Sequence, residues 1–216
     1  MRSSLGRTFA VVLALTAGSP ALAAGECDSV PTCLTLAEQG DAQAQFVLGN
    51  YRSAAKDYVE AFKWYRLSAE QGHLKAQVEL GTSYYYSINV AGDPAESVRW
   101  FKMAAEQGNE YAQSTLAYIY YYGRGLPQDY AEALKWYRLS AEQGDSFSQN
   151  SLGVMYRNGE AVPQDNVLAH MWFNLSAAQG NGEAVENRNL TAAVMTSAQI
   201  AEAQRLAREW KAAHPK

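Results

Sequence analysis

The sequence has few residues of the kinds that build metal or redox sites, and it has no excess of basic charge. Its 216 residues include only two cysteines and three histidines, and acidic side chains outnumber basic ones by 22 to 18. A nucleic-acid binder needs a basic surface, so this class of partner is not indicated. Glycine (16) and proline (6) are too few for a linker or a collagen-like chain. We therefore expect a globular protein of one or two domains, with no metal site, no cofactor and no nucleic-acid partner.

The sequence also lacks an apolar run long enough to span a bilayer, which takes about 20 residues. Its most apolar stretch, Thr8 to Ala17, is only half that length. Arg2 and Arg7 precede this stretch, and a small-x-small sequence at residues 21–23 follows it. This order is typical of a cleavable secretory signal peptide, which we assign to residues 1–23. A membrane anchor or a buried helix is the alternative for this segment.

Export changes the expected chemistry of the two cysteines. Cys27 and Cys33 lie near the start of the mature chain, in a segment that we assign to residues 24–36, and Pro31 between them is expected to promote a turn. In an oxidising compartment an isolated pair is most simply a structural disulfide, worth about 2 kcal/mol for so small a loop. A redox-active pair is the alternative, although it would want the tighter C-x-x-C spacing. We predict a periplasmic, or else extracellular, protein with no membrane segment after cleavage.

The rest of the chain repeats with a period of 36 residues, after a first interval of 32. The tetrapeptide Ala-Glu-Gln-Gly recurs in register with one tryptophan and one aspartate. The glycines are Gly40, Gly72, Gly108, Gly144 and, in a degraded last copy, Gly180. The tryptophans are Trp64, Trp100, Trp136 and Trp172, and the aspartates are Asp57, Asp93, Asp129 and Asp165. A fixed period in the mid-thirties predicts a solenoid of stacked repeats.

Each repeat has the signals of two helices. Asp129 is a predicted N-cap that forms a capping box with Glu132, and Gly144 is a predicted left-handed C-terminal residue. A second helix follows and should end near Gly159. No segment has the alternating apolar pattern of a strand. The sequence therefore predicts an all-α fold, a right-handed α/α solenoid of about four helix-turn-helix repeats.

Residues 181–216 are predicted to contain a degenerate repeat and a C-terminal capping helix. Thr196 and Gln199 form a second predicted capping box, and the helix should extend to about Ala213. One face of this helix carries the apolar residues Ile200, Ala203, Leu206 and Trp210. An amphipathic helix of this kind can cover the open apolar end of a solenoid. A helix lying on a membrane surface is the alternative.

The pattern over residues 37–180 resembles the Sel-one-like repeat family, a relative of the tetratricopeptide repeat. In one unit the resemblance is carried by Leu116, Tyr120, Gly123, Gly125, Asp129, Ala133, Trp136, Tyr137 and the tetrapeptide at 141–144. Two departures are that the first unit lacks four residues between its helices, and that the pattern decays after Gly180. The resemblance implies a protein-interaction scaffold in the periplasm. Roles that it suggests are inhibition of a sensor-kinase ectodomain, envelope assembly, and immunity against a delivered toxin.

The resemblance also raises one enzymatic alternative, because some cysteine-rich relatives have been linked to penicillin binding and β-lactam hydrolysis. Such serine acyl-transfer enzymes need Ser-x-x-Lys, a second polar triad and Lys-Thr-Gly. Ser53 and Lys56 match the first pattern, residues 87–89 loosely match the second, and the third is absent. A Ser-x-x-Lys match is expected by chance about once in two sequences of this composition, so it has little weight. We predict that the chain is not an enzyme.

The 14 tyrosines exceed what the repeat requires. At 100° per residue Tyr111, Tyr118 and Tyr122 fall within about 40° of one another, whereas Tyr120 lies on the opposite, packing side of the helix. By analogy with tetratricopeptide arrays, we predict that this second face lines a concave groove that binds a partner protein or peptide. The predicted groove residues are Tyr85, Tyr86, Tyr111, Tyr118, Tyr121, Tyr122, Phe147, Arg157 and Asn158. Packing between neighbouring repeats is the alternative role for these rings.

Overall fold

The computed structural model describes residues 30–215, and this part of the chain folds into eleven helices without a strand. The helices are α1 (Val30–Glu38), α2 (Ala42–Ala54), α3 (Tyr58–Glu70), α4 (Leu74–Tyr86), α5 (Pro94–Glu106), α6 (Glu110–Tyr122), α7 (Tyr130–Glu142), α8 (Ser146–Asn158), α9 (Asn166–Ala177), α10 (Gly182–Ala192) and α11 (Ser197–Ala213). The predicted signal peptide and Cys27 lie outside the described residues. The signal peptide and the disulfide therefore stay predictions.

Helices α2 to α9 form four consecutive pairs, and each pair packs on the next. The first helix of a pair contacts the second along its length, and the second helix also contacts the first helix of the following pair. This nearest-neighbour arrangement is that of a helical solenoid. The predicted all-α solenoid of four helix-turn-helix repeats is confirmed.

The chain also has a helix, α1, that the sequence reading did not assign. It packs on α2 in the place of the second helix of a preceding pair, and it buries Cys33 and Ala37 completely or almost so. Pro31 lies in the first turn of α1 rather than in a turn between the cysteines. Proline is compatible with a first helical turn, because its missing N–H has no partner there.

The turn after each second helix is set by the glycine of the tetrapeptide. All five of these glycines have φ between +86° and +101°, the left-handed region that glycine adopts without a steric cost. The predicted C-terminal role of Gly144 is thereby confirmed. Gly159, also left-handed, ends α8 as expected.

The N-caps agree with the sequence reading except in one detail. Asp129 accepts hydrogen bonds from the backbone N–H groups of Ala131 and Glu132, at 2.9 and 3.0 Å. The predicted capping box at this position is wrong in one of its two hydrogen bonds. The Glu132 carboxylate does not accept from the Asp129 backbone N–H but from Nε1 of Trp136, at 3.0 Å. Trp136 is buried, so its indole N–H needs a partner within the protein. The capping box at the start of α11 is complete.

A row of hydrogen-bonded glutamines, which we call the glutamine ladder, joins successive repeats. The buried Gln113 side chain donates to the Ala105 carbonyl of the preceding repeat at 3.0 Å and accepts from Nε2 of Gln143 at 2.7 Å. Gln143 is the glutamine of the next tetrapeptide. The same pair of bonds recurs at Gln45 with Gln71, Gln77 with Gln107, and Gln149 with Gln179.

The solenoid ends because α10 lacks the residues that would seat another second helix. It carries Arg188 and Asn189 where α8 carries Leu152 and Gly153. The last helix, α11, packs on α9 instead. There it buries Ala203 and Ala207, and the ring of Trp210 lies edge-on to Trp172 with 5.9 Å between centroids. The residues expected on the apolar face therefore lie on the end of the solenoid, as a cap requires.

Replacing Gln113 by leucine should destabilise the fold by about 2–3 kcal/mol, because it leaves a buried carbonyl and one amide bond of the glutamine ladder without a partner. Urea unfolding followed by circular dichroism measures this. Gln204→Leu, on the exposed side of α11, is the matched control and should change the stability by less than about 0.5 kcal/mol. Equal urea midpoints for the two variants would show that the glutamine ladder contributes little to the stability of the fold.

Removing residues 196–216 should lower the melting temperature or cause aggregation, because it uncovers Met171 and Leu175 on α9, both of which are buried. Differential scanning calorimetry and light scattering are the measurements. Arg208→Ala, on the exposed side of α11, controls for loss of charge and should melt like the parent protein. A truncated chain that melts and dissolves like the full one would contradict the capping role.

Candidate functional site

Seven of the nine predicted groove residues are aromatic and lie on the first helices of three successive repeats. We call them the aromatic surface. Its members are Tyr85 and Tyr86 on α4, Tyr111, Tyr118, Tyr121 and Tyr122 on α6, and Phe147 on α8. The glutamine ladder fixes the register of these helices, so residues 36 apart in the sequence occupy equivalent places in the fold.

Four members of the aromatic surface are substantially exposed. Tyr86, Tyr111, Tyr122 and Phe147 leave 58%, 46%, 54% and 41% of their surfaces uncovered. Large rings are usually buried when only packing decides their place, so a group of four exposed ones needs another explanation. Tyr118 lies between them, half-buried, with its ring 4.6 Å from that of Tyr122 and 6.2 Å from that of Phe147.

Tyr85 and Tyr121 are less exposed than these four members and attach the aromatic surface to the core. Both are half-buried and pack against the main hydrophobic core. The Tyr121 hydroxyl donates to the Glu160 carboxylate at 2.9 Å, and its ring lies 6.2 Å from the buried ring of Tyr137. For these two residues the structure favours the alternative, packing between repeats. Tyr120, assigned to the packing side, is also half-buried against the same core.

The two polar residues of the predicted set lie at the edge of α8. Nη1 of Arg157 donates to Oδ1 of Asn187 at 2.9 Å, and its guanidinium lies 5.5 Å from the ring centroid of Phe173. Arg157 is thus held against α10 and is only half-exposed. Asn158 is exposed and donates to Glu160 at 3.1 Å. Asn158 is therefore free to reach a bound molecule, whereas Arg157 is anchored.

One residue of the site, Arg124, was not recognised from the sequence. Its guanidinium lies 5.9 Å from the ring centroids of both Tyr118 and Tyr122, and Nη2 donates to the Tyr118 hydroxyl at 3.4 Å. Arg124 lies between Gly123 and Gly125, in the turn that ends α6. The signal was available, because Arg124 is only two residues beyond the last tyrosine of α6.

Five rings form a closed circuit where α6, α7 and α8 meet. The rings follow the order Tyr122, Tyr121, Tyr137, Phe147 and Tyr118, and the circuit closes on Tyr122, with centroids of neighbours 4.6 to 6.2 Å apart. Tilted and edge-on pairs at such distances stabilise each other. The circuit joins the buried Tyr137 to the exposed members, so the surface rests on the core.

The phenols of Tyr86, Tyr121 and Tyr122 are neutral hydrogen-bonding groups. Burial is the largest cause that raises the pKa of Tyr86 and of Tyr122 above its usual range. For Tyr121, burial and the bond to Glu160 raise the pKa further. The three hydroxyl groups therefore stay protonated well above neutral pH and can both donate and accept.

A cleft of about 530 Å³ lies at the end of the solenoid, away from the aromatic surface. Trp210 and His214 of the capping helix form one wall, and their rings stack at 4.2 Å. The other wall is the last part of the glutamine ladder, Gln143, Gln149 and Gln179. Gln179 donates to Gln149, and Gln143 donates to Gln113, so the cleft separates the cap from the ladder rather than presenting unpaired groups.

The residues that suggested acyl transfer do not form a catalytic arrangement. Ser53 lies in the last turn of α2, and the exposed Lys56 lies beyond the helix end with φ +62°. Lysine activates serine in such enzymes from a close, fixed position. Ser87 and Asn89 belong to the left-handed connector after α4. Nothing in this arrangement supports the enzymatic alternative.

The described chain also has no cluster that suggests other chemistry. In residues 30–215 no three His, Cys, Asp or Glu side chains come together as metal ligands would. His170 is buried in α9, as expected of a core histidine, and burial lowers its pKa. None of the helices from α1 to α11 has the length and apolar character of a bilayer-spanning segment.

Comparison with known proteins gives the family. The Sel1 repeat matches four consecutive segments, residues 42–73, 74–109, 110–145 and 146–181. Among curated proteins none matches this chain significantly. A Sel1 repeat protein from Oxalobacter formigenes is 32% identical over 73% of this chain and 47% of its own, with a TM-score of 0.65.

A second solved structure is a protective antigen present in uropathogenic Escherichia coli strains, which displays an SLR fold. It is 29% identical over 86% of this chain and 48% of its own, with a TM-score of 0.57. This chain thus spans about half the length of these two proteins. Sel1 repeats generally mediate protein–protein interaction. With four matched repeats and the same helical fold in its relatives, this chain belongs to the Sel1 repeat family.

Proposed function

We propose that this protein is an exported, periplasmic scaffold whose aromatic surface, on the concave side of the solenoid, holds an extended segment of a partner protein. The observation that carries the proposal is the group of four exposed rings, Tyr86, Tyr111, Tyr122 and Phe147. They lie together on the first helices of adjacent repeats. Sel1 repeat proteins are in general interaction scaffolds, and this feature gives the scaffold a specific place to bind.

The chemistry of these rings suits protein recognition. Tyrosine supplies a large, rigid contact area with few rotatable bonds and one hydroxyl for hydrogen bonding, so little entropy is lost when a partner orders it. At this surface the hydroxyls are neutral, and most of the rings are already held by their neighbours. A preorganised surface binds more tightly than a mobile one with the same contacts.

The geometry favours an extended segment as the bound form. The aromatic surface is made by the first helices of three successive repeats, so a segment that contacts all of them must cross several helices. An extended chain advances about 3.3 Å per residue and a helix only about 1.5 Å, so an extended segment covers this distance with fewer residues. An extended segment also leaves backbone carbonyls free to accept from the phenols, whereas a helical segment uses them internally.

Export and binding together define the role we propose. The signal-peptide pattern at residues 1–23 and the cysteine pair support an envelope location. Inhibition of a sensor, envelope assembly and immunity against a toxin all require only that a partner surface be occupied. Within residues 30–215 no catalytic arrangement supports a reaction, and binding is the function that we assign.

The double substitution Tyr111→Ala with Tyr122→Ala should weaken capture of a partner segment by at least tenfold, because two large contact rings are lost. Peptides selected from a displayed random library by the purified protein provide the ligands, and fluorescence anisotropy gives the affinities. The melting temperature should change little, because both rings are exposed.

Two controls separate binding from folding. Tyr58→Ala removes an exposed tyrosine on α3, outside the aromatic surface, and should leave binding unchanged. Tyr121→Ala should destabilise by about 2–4 kcal/mol, because its ring packs against the core. A double variant that melts as low as Tyr121→Ala, or that binds as well as the parent protein, would contradict the proposal.

Export predicts a mature chain that begins at or near Ala24, with Cys27 and Cys33 oxidised. Mass spectrometry of protein recovered from a periplasmic fraction, with and without reduction and alkylation, checks both. The disulfide would tie the chain before α1 to the buried Cys33. Full-length protein that stays in the cytoplasm, or two alkylated thiols in exported protein, would contradict this part of the proposal.

A further inference from the structure

Four of the five rings of the circuit line a small pocket of about 60 Å³. Its aromatic walls are Tyr121, Tyr122, Tyr137 and Phe147. Binding sites for drug-sized ligands and cofactors usually enclose about 300–1,000 Å³, so this pocket is too small for one of them. It has room for the end of a single side chain.

The pocket has one charged group, the carboxylate of Glu183 in the first turn of α10. No ion pair joins this carboxylate to another residue of the described chain. Glu183 and Tyr122 line the pocket together, and burial, the neighbouring Tyr118 and the charge of Glu183 all raise the pKa of Tyr122. The positive charges closest to the aromatic surface, Arg124 and Arg157, do not line the pocket.

The polar groups at the floor are engaged within the protein. Oδ1 of Asn150 accepts from Asn187 at 3.1 Å, and Oγ of Ser151 donates to the Phe147 carbonyl at 3.0 Å. The pocket therefore offers a bound group two kinds of interaction, the faces and edges of aromatic rings and the negative charge of Glu183.

This combination discriminates among side-chain ends by charge. The face of an aromatic ring carries negative electrostatic potential and attracts a cation, most strongly where water is excluded. A carboxylate adds a charge-assisted hydrogen bond to an ammonium or a guanidinium. An anion would be repelled by both, and a neutral apolar group would gain nothing from Glu183. Arg124, stacked against Tyr118 and Tyr122, already shows a guanidinium associating with rings of the same circuit.

We infer that the pocket formed by Tyr121, Tyr122, Tyr137, Phe147 and Glu183 receives the positively charged end of one lysine or arginine side chain of the partner segment. This inference rests on the proposed function, because the segment lies across the aromatic surface. The cation anchors the segment between α6, α8 and α10, while the exposed rings of α4 and α6 contact the residues on one side of it.

The pocket can be tested with small probes in the purified protein. The probes are n-butylammonium and N-methylguanidinium, which represent the ends of lysine and arginine, and 1-pentanol, which is a neutral analogue of the first. NMR titration of the aromatic ring resonances gives each dissociation constant. At least one cation should bind with a dissociation constant at least tenfold below that of 1-pentanol, and the better cation identifies the favoured residue.

Matched variants test the assigned groups. Glu183→Gln should weaken cation binding about tenfold, the loss expected for one carboxylate contact, and Phe147→Leu should weaken it severalfold. Each variant should change the affinity for 1-pentanol by a smaller factor than it changes the affinity for the cation. Glu186→Gln, on the same helix but outside the pocket, should behave like the parent protein. Cations that bind no better than 1-pentanol, or an unchanged affinity in Glu183→Gln, would overturn the inference.

A second measurement separates this inference from the proposed function. In library-selected peptides, each lysine or arginine is replaced in turn by norleucine. One such replacement should lower the affinity for the parent protein tenfold or more. The same replacement should change the affinity for Glu183→Gln only slightly. If peptides bind but no such replacement has an effect, the cation pocket is wrong and the peptide-binding surface stands. If the cations bind but no peptide is selected, the pocket stands and the proposed peptide-binding function is wrong.

Discussion

The glutamine ladder is the interaction on which the arrangement of the other parts depends. An isolated helix pair could slide along or rotate against its neighbour at little cost, because apolar packing is not directional. A buried amide such as Gln113 removes that freedom, since it must donate to one carbonyl of the preceding repeat and accept from one amide of its own tetrapeptide turn. The left-handed glycine of the same tetrapeptide sets the direction in which the next helix begins. Four successive repeats therefore share one register, and this register brings rings from α4, α6 and α8 onto one surface.

The core and the surface are continuous at the third and fourth repeats, and this explains why the surface can be rigid. In three repeats an aromatic ring of the second helix lies over a glycine of the first, as Phe173 does over Gly153, where a Cβ atom would approach the ring to 2.4 Å. In the remaining pair the equivalent residues are Ala117 and Tyr137, and Tyr137 becomes the buried member of the ring circuit. Phe147 and Tyr118 then stand on a buried ring rather than on mobile side chains. The side chains of Phe147 and Tyr118 therefore lose their rotamer entropy when the protein folds. Binding a partner would not have to restrict them again.

Most of the fold followed from local signals, whereas half of the site depended on contacts that a sequence does not display. The period, the left-handed glycines and the aspartate caps act within a few residues, so they predicted the helix pairs and α11. Helix α1 was missed because Pro31 was taken as a turn signal, although proline is equally compatible with a first helical turn. The helical angle grouped Tyr111, Tyr118 and Tyr122 correctly, but it could not show that Tyr121 reaches Glu160 and the core. That contact comes from another repeat, 39 residues along the chain.

Comparison of the repeats with one another shows which residues of the aromatic surface the repeat does not require. Ladder positions are glutamine in all four units, but the positions equivalent to Tyr111 and Tyr118 differ in each, and the position of Tyr122 is tyrosine in only one other unit. The second unit carries Lys75, Thr82 and Tyr86 there, the fourth carries Phe147, Val154 and Asn158, and the first carries no aromatic residue. A requirement common to all repeats, such as the glutamine ladder, would act alike on every unit. Residues that vary while the ladder stays constant are therefore free of that requirement. The exposed rings of units two to four are thus not required by the repeat itself, and the pocket beside Glu183 lies at the end of that row, where the solenoid stops.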